Sequence, residues 1–227
     1  NMLADADDRL AISAHCEDGR HVQLTRAELK AQVMQLAGWM QAAGIGKGDR
    51  VAAYIPNIPE AIIAMLATAT IGGIFSSCSP DFGLGGVSDR FGQIEPKLLI
   101  ACDGYHYAGK TFDRMAILRD LAAALPSVTY ILVIPFLDPA PDLSGLPQPA
   151  LFDTALQAAK PVSSFTPVNF NDPLYILYSS GTTGAPKCIV HGVGGVILKH
   201  ITEMRLHSDM SADDRMLFFT TCGWMMW

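Results

Sequence analysis

The chain has 227 residues, half of them hydrophobic, and a formal net charge of −6. That composition supplies a sizeable core and excludes a disordered chain, and the acidic balance, with no basic run longer than two residues, excludes an electrostatic nucleic-acid binder. Five cysteines, at 16, 78, 102, 188 and 222, form no Cys-x-x-Cys pair; an odd number so spaced excludes a disulfide framework or zinc knuckle and points to reduced thiols in a cytoplasmic protein.

The opening stretch, NMLADADDRL, has neither a basic region nor an apolar core and is not read as a secretion signal. RLAISAHCEDGRHVQLT holds two alternating runs about Asp18-Gly19 and predicts a hairpin. Thr25 then opens a capping box with Glu28, and Leu29, Val33, Leu36, Ala37 and Met40 follow at helical spacing. AAGIGKGD closes that helix with glycines. Next come a strand in DRVAAYIP, an apolar helix entered through Pro59, and a short strand in IFSSC. The uncharged span from Ala61 to Pro80 approaches membrane-spanning length, but it is read as a buried helix running into a strand.

GGVSDRFGQIE predicts a helix stopped by Pro96, and KLLIAC a strand. TFDRMAILRDLAAALP predicts a helix from Thr111, and VTYILVIPF a strand buried on both faces. The Pro-rich stretch near 138–149 is a surface crossover, after which FDTALQAAK predicts a short helix. DPLYILYS and KCIVHG are strands flanking a loop, GGVILKHITEMRLH a helix, and DRMLFFTTC a last strand. Strand–helix alternation of this kind predicts an α/β fold, a mostly parallel sheet flanked by helices.

The loop carries the chemistry. LYSSGTTGAPKC, residues 177–188, presents hydroxyls at Ser179, Ser180, Thr182 and Thr183. Gly181 and Gly184 let successive N–H groups converge. Pro186 stiffens the approach to the single ammonium of Lys187. It is not a Walker loop, since the glycines are three apart and the lysine leads into a β-branched run. It is not a dinucleotide fingerprint either. A plain hairpin turn needs two residues, and four hydroxyls exceed that need. The loop reads as a phosphate cradle.

YSSGTTGAPK resembles the phosphate-loop signature of the adenylate-forming enzymes, the acyl- and aryl-CoA synthetases and their kin: an aromatic residue, two small hydroxyl residues, Gly, Ser or Thr, Thr, Gly, any residue, Pro, Lys. GIGKGDRVAAYIPNIPEAIIAMLATATIGGIFSSCSPDF is similar to an early segment of that family. The resemblance implies part of a large N-terminal AMP-binding domain spanning 1–227, with the mobile C-terminal domain outside this chain. It implies that ATP, Mg2+ and coenzyme A take part, that Ser179, Ser180, Gly181, Thr182, Thr183, Gly184 and Lys187 hold ATP phosphates, and that Lys187 is the catalytic residue among them.

Within the family, KCIVHGVGGVILKH and LFFTTCGWMMW most resemble the acetoacetate-activating branch. That implies a carboxylate attacking the α-phosphate of ATP, then coenzyme A displacing AMP from the acyl-adenylate. It also makes Trp224, Met225 and Met226 candidates for the acyl pocket, and Lys110 the candidate for the coenzyme A nucleotide, with Tyr107 where relatives are basic. No metal ligands are assigned in this chain, and the segment is expected to be inactive alone. Another short carboxylic acid as substrate, or a non-catalytic phosphate-binding module, remain the alternatives. Outside the motif, His191 is read as a structural histidine satisfied by backbone groups, and Arg90 as a surface or inter-lobe charge.

Overall fold

The computed structural model describes residues 3–179 and 184–227. The hairpin forms around Asp18-Gly19: strand β1 (Leu10–His15) pairs antiparallel with β2 (His21–Thr25), and Gly19 takes φ +87° at the turn. Thr25 then starts helix α1 (Arg26–Ala42). Its Oγ1 accepts from Glu28 N at 3.1 Å, and Glu28 Oε2 accepts from Thr25 N at 2.8 Å, so two otherwise unpaired N–H groups are satisfied. The predicted stripe of Leu29, Val33, Leu36, Ala37 and Met40 is the buried one.

Six further strands alternate with helices: β3 (Arg50–Tyr54), α2 (Pro59–Thr70), β4 (Ile74–Cys78), α3 (Leu84–Ile94), β5 (Leu98–Cys102), α4 (Met115–Ala124) after the hairpin β6 (Gly104–Tyr107) and β7 (Lys110–Asp113), and β8 (Tyr130–Ile134). The chain continues as β9 (Pro149–Leu151), α5 (Phe152–Ala158), β10 (Pro173–Tyr178), β11 (Cys188–Gly192) and α6 (Val193–Ile201), which runs into a π-helical turn over Thr202–His207. The main sheet has seven strands in the order β11-β10-β4-β3-β5-β8-β9. Every neighbouring pair is parallel except β10 and β11. α1, α2 and α5 cover one face, their core built on Leu36, Met40, Ile63, Ile71 and Phe152. α3 and α4 cover the other through Val87, Phe91, Leu118 and Leu121. The uncharged stretch after Ala61 is indeed helix, then strand, and no helix among the described residues is long and apolar enough to cross a membrane.

Three elements differ from the sequence reading. Residues 111–113 pair as β7 with β6 instead of opening α4. Ala108 (φ 51°) and Gly109 (φ 72°) supply the two positive-φ positions of a tight hairpin turn, and the rings of Tyr105 and Phe112 stack at 5.0 Å across the pair. The Pro-rich crossover delivers a three-residue strand, β9, alongside β8. The predicted last strand, 214–222, does not form: the segment is irregular, with Leu217 93% and Phe219 99% exposed. Strand propensity there finds no described neighbour on which to pack.

Candidate active site

In an open parallel sheet, ligands gather beyond the carboxyl ends of the strands where the connections change direction. Here β3 leads to β4 on one side, and the next connection crosses back to β5 on the other. The exits of β3, β4 and the neighbouring β10 therefore define the site. The Gly-hydroxyl loop leaves β10 and returns as β11, with Tyr178 paired to Cys188. Ser179 N donates to Lys187 O at 3.1 Å, one step further out. Ser179 is partly buried, while Gly184 and Lys187 are exposed, and a Cβ at Gly184 would meet nothing within 4 Å. Ser180, Gly181, Thr182 and Thr183 lie outside the described residues. Among the described residues, Lys187 makes no ion pair, so its ammonium is available to an anion.

The base of the loop is held from two sides. The Ser76 hydroxyl on β4 lies 2.8 Å from Ile176 O and 2.9 Å from the Tyr178 hydroxyl. Burial pushes the Tyr178 phenol well above its ordinary pKa, so it stays neutral. Of the two sequence readings of Arg90 of α3, a surface or an inter-lobe charge, the first does not hold. Arg90 is partly buried, its guanidinium 4.6 Å from the Phe82 ring centre and 5.7 Å from that of Tyr178, with Nη1 donating to Gly86 O at 2.6 Å. Gln93, one turn on, reaches the far arm of the loop at Pro186. His191 also departs from expectation: its ring lies 5.2 Å from that of Tyr175, and its buried Nε2 has no hydrogen-bond partner among the described residues.

The segment bearing the acyl-pocket candidates folds onto the same edge. Ser77 Oγ donates to Cys222 O at 2.6 Å, and Trp227 Nε1 donates to Asn57 Oδ1 at 3.0 Å. Gly223 is obligatory there, since a Cβ would stand 2.7 Å from Phe82 Cε2 and 3.0 Å from Ser79 N. Trp224, Met225 and Met226 follow, all exposed. They stand at the exit of β4, the neighbour of β10, so loop and acyl candidates share one end of the sheet. Lys110 does not join them. It sits at the tip of the β6–β7 hairpin opposite Tyr107, and that hairpin leaves β5, three strands from β10, about 14 Å away at ordinary strand spacing. No group of three or more His, Cys, Asp or Glu able to hold a metal occurs among the described residues.

Two supporting residues carried no motif. The Asp103 carboxylate, 2% exposed, accepts from the backbone N–H groups of Phe136, Leu137 and Asp138 in four contacts of 2.7–3.0 Å. It thereby locks the exit of β5 to that of β8. The Tyr54 hydroxyl lies 2.8 Å from Pro80 O and 2.7 Å from Phe82 O, fixing the turn after β4, and burial raises its pKa to about 12. For Tyr54 only its buried position, not a pattern, distinguishes the residue. An Asp-Gly directly after an apolar strand was the one signal available for Asp103.

The AMP-binding enzyme family matches residues 3–227. The chain is 48% identical over 231 residues to an acetoacetyl-coenzyme A synthetase of Rhizobium meliloti (strain 1021), covering 100% of the chain and 35% of that relative. It is 42% identical over 236 residues to the acetoacetyl-CoA synthetase of Xenopus tropicalis, with the same coverage of 100% and 35%. A solved structure of acetoacetyl-CoA synthetase from Streptomyces lividans matches with a TM-score of 0.91 at 42% identity, over 97% of this chain and 33% of that one. The chain thus spans about a third of the length of the relatives it matches. A family match over nearly every residue, with the loop motif at the carboxyl edge of the expected sheet, leads to one conclusion: the chain belongs to the AMP-binding enzyme family.

Proposed function

We propose that the protein carrying this chain joins acetoacetate to coenzyme A at the expense of ATP, and that this segment supplies the phosphate-handling part of its large N-terminal domain. One observation carries the reading. A loop with hydroxyls at 179, 180, 182 and 183, and with a cation at Lys187 that makes no ion pair among the described residues, leaves the sheet at its direction-switching edge. The similarity to acetoacetyl-CoA synthetases over the whole chain supports the choice of acid.

The chemistry follows from charge. A carboxylate oxygen attacks the α-phosphorus of ATP; the bond to the bridging oxygen of pyrophosphate breaks and an acyl-adenylate forms. The thiol of coenzyme A then attacks the acyl carbon, and AMP departs with the C–O electron pair. Two unit negative charges 4 Å apart repel by about 4 kcal/mol at an effective dielectric of ~20, so the approach of carboxylate to polyphosphate needs fixed positive and hydrogen-bonding groups. Ser179 to Gly184 supply donors, and Lys187 offsets charge on the departing pyrophosphate. The donor set fits polyphosphate: hydroxyls and open backbone at Gly184, with a cation that has no competing carboxylate among the described residues. Trp224, Met225 and Met226 bound the short acid, methionine supplying adaptable packing. Lys110 meets the anionic nucleotide end of coenzyme A. Mg2+ accompanies ATP, and its ligands are not assigned to the described residues. Five unpaired thiols support a cytoplasmic setting.

The test is acid-dependent exchange of pyrophosphate into ATP by the full-length protein, run with acetoacetate, acetate, propionate and butyrate. Acetoacetate should give the highest kcat/KM, and preference for a saturated acid would move the protein to another acyl specificity. Lys187→Ala should lower the exchange rate about 10²–10³-fold, the usual cost of one electrostatic donor. An unchanged rate would remove the phosphate role.

A further inference from the structure

We propose that Gln93 is a positioning residue for Lys187, acting through the backbone of Pro186; this rests on the phosphate-binding reading above. Gln93 lies near the end of α3, on the flank away from the buried Val87, Phe91 and Ile94. It is exposed, and the sheet-facing core of the helix does not use it. Yet its side chain is fully engaged. Nε2 donates to Asp89 O at 2.5 Å, one turn back on its own helix, and to Pro186 O at 2.9 Å, across a gap of 93 residues in sequence. Oε1 faces the Cys188 thiol at 3.6 Å.

These partners fix the orientation of the amide. The Pro186 carbonyl can only accept, so it must face the NH2 group, and the carbonyl end is left for the thiol, a weak donor. The bond back to Asp89 O holds the side chain against its own helix, so little rotamer freedom remains to be lost on reaching Pro186.

The consequence falls on Lys187. Its own carbonyl accepts from Ser179 N at 3.1 Å, while the carbonyl before it is held by Gln93. Pro186 is buried and its ring fixes φ. The peptide unit preceding the Lys187 Cα and the one following it are therefore both tied, one to α3 and one to the start of the loop. The Lys187 side chain, exposed and free of any described ion pair, takes its direction from that backbone. Three residues upstream on the same helix, Arg90 lies over the Tyr178 ring at the loop's other root. One helix thus supports both roots, and Gln93 is its contact with the root that bears the cation. A cation effective only when aimed at the leaving group gains from a fixed backbone, because misplacement by about 1 Å can cost about 10²-fold.

The experiment is a double-mutant cycle in the full-length protein, read by pyrophosphate exchange with melting temperature as the control for folding. Gln93→Leu should lower kcat for exchange about 10-fold, as for one lost hydrogen bond acting at the transition state, with KM for the acid unchanged. Gln93→Glu, which keeps the shape but sets a carboxylate against the Pro186 carbonyl, should show the same loss; it carries the test if the leucine variant does not fold. In a Lys187→Ala background, either substitution should have almost no further effect, because Gln93 acts through the side chain already removed. A full 10-fold loss persisting in that background, or unchanged exchange in both Gln93 variants beside an impaired Lys187→Ala, would overturn the positioning role while leaving the phosphate reading in place. Normal exchange by Lys187→Ala would remove both.

Discussion

The two flanks of the sheet are built differently. On β5 every residue is buried, and β3 and β8 are nearly so, enclosed by helices on both faces. On the other flank β11 has no fully buried residue, and α6 buries only Gly194 and Val196 while Ile197, Leu198 and Ile201 stand half exposed. The candidate site lies where these flanks meet, with β4 and α3 as the packed side and β10–β11 as the open one. An α/β sheet of this kind can hold one wall of a site rigidly while the other wall takes its packing from elsewhere. The rigid wall then has to carry the alignment.

The sharpest way to break this contrast is to remove equal side chains from each flank. Ile100→Ala, at a fully buried site on β5, should cost about 2–5 kcal/mol, whereas Leu198→Ala, 58% exposed on α6, should stay within about 0.5 kcal/mol. Urea midpoints at constant slope measure both. Equal losses would mean that α6 is packed in solution against something that hides it. A smaller effect sharpens the picture at the helix starts. α1 begins with the reciprocal Thr25–Glu28 pair, while α6 begins at Gly192 with no side-chain cap. Thr25→Ala should lower stability by about 1 kcal/mol, with a matching drop in the urea midpoint.

The smallest expected change concerns pH. Burial raises the Glu60 carboxyl above its ordinary value; a hydrogen bond from its own backbone N–H partly offsets this, Asp153 adds to the rise, and Arg20 opposes it. The folded state therefore keeps a proton that the unfolded chain has released, so this group's stabilisation is complete in acid and is lost as pH rises through the folded pKa. Glu60→Gln should flatten that decline. The midpoint difference between about pH 4.5, the ordinary glutamate value, and about pH 8 should shrink in the variant, since ordinary carboxylates titrate alike in both proteins. An unchanged difference would return Glu60 to ordinary solvation.

Much of this was legible in the chain. The helices and parallel strands announce themselves by period, the first helix by its capping box, and the loop by a density of hydroxyl and glycine that no turn requires. Partnership was less legible. Met216 to Phe219 have the composition of a strand, but composition does not provide a neighbour. Thr111 to Asp113 looked helical because Phe112 and Met115 have helical spacing, while the turn at Ala108-Gly109 lacks the usual asparagine or aspartate. Arg90 read as a surface or inter-lobe charge, and nothing in the sequence singled out Gln93. Their importance comes from ring and carbonyl partners about 90 residues away, which no local pattern encodes.

The lock at Asp103 has a consequence for how the molecule can change. One carboxylate serves three consecutive backbone donors, and the next residue, Gly104, has no room for a side chain: a Cβ would lie 2.2 Å from Leu137 Cδ1 and 2.4 Å from Phe112 O. None of these partners can be relieved singly, since shifting the 136–138 segment to admit a larger residue at 104 would strand the carboxylate. Substitution at this corner thus has no gradual route. The Asp-Gly pair and the segment it grips form one mechanical unit, replaceable only together.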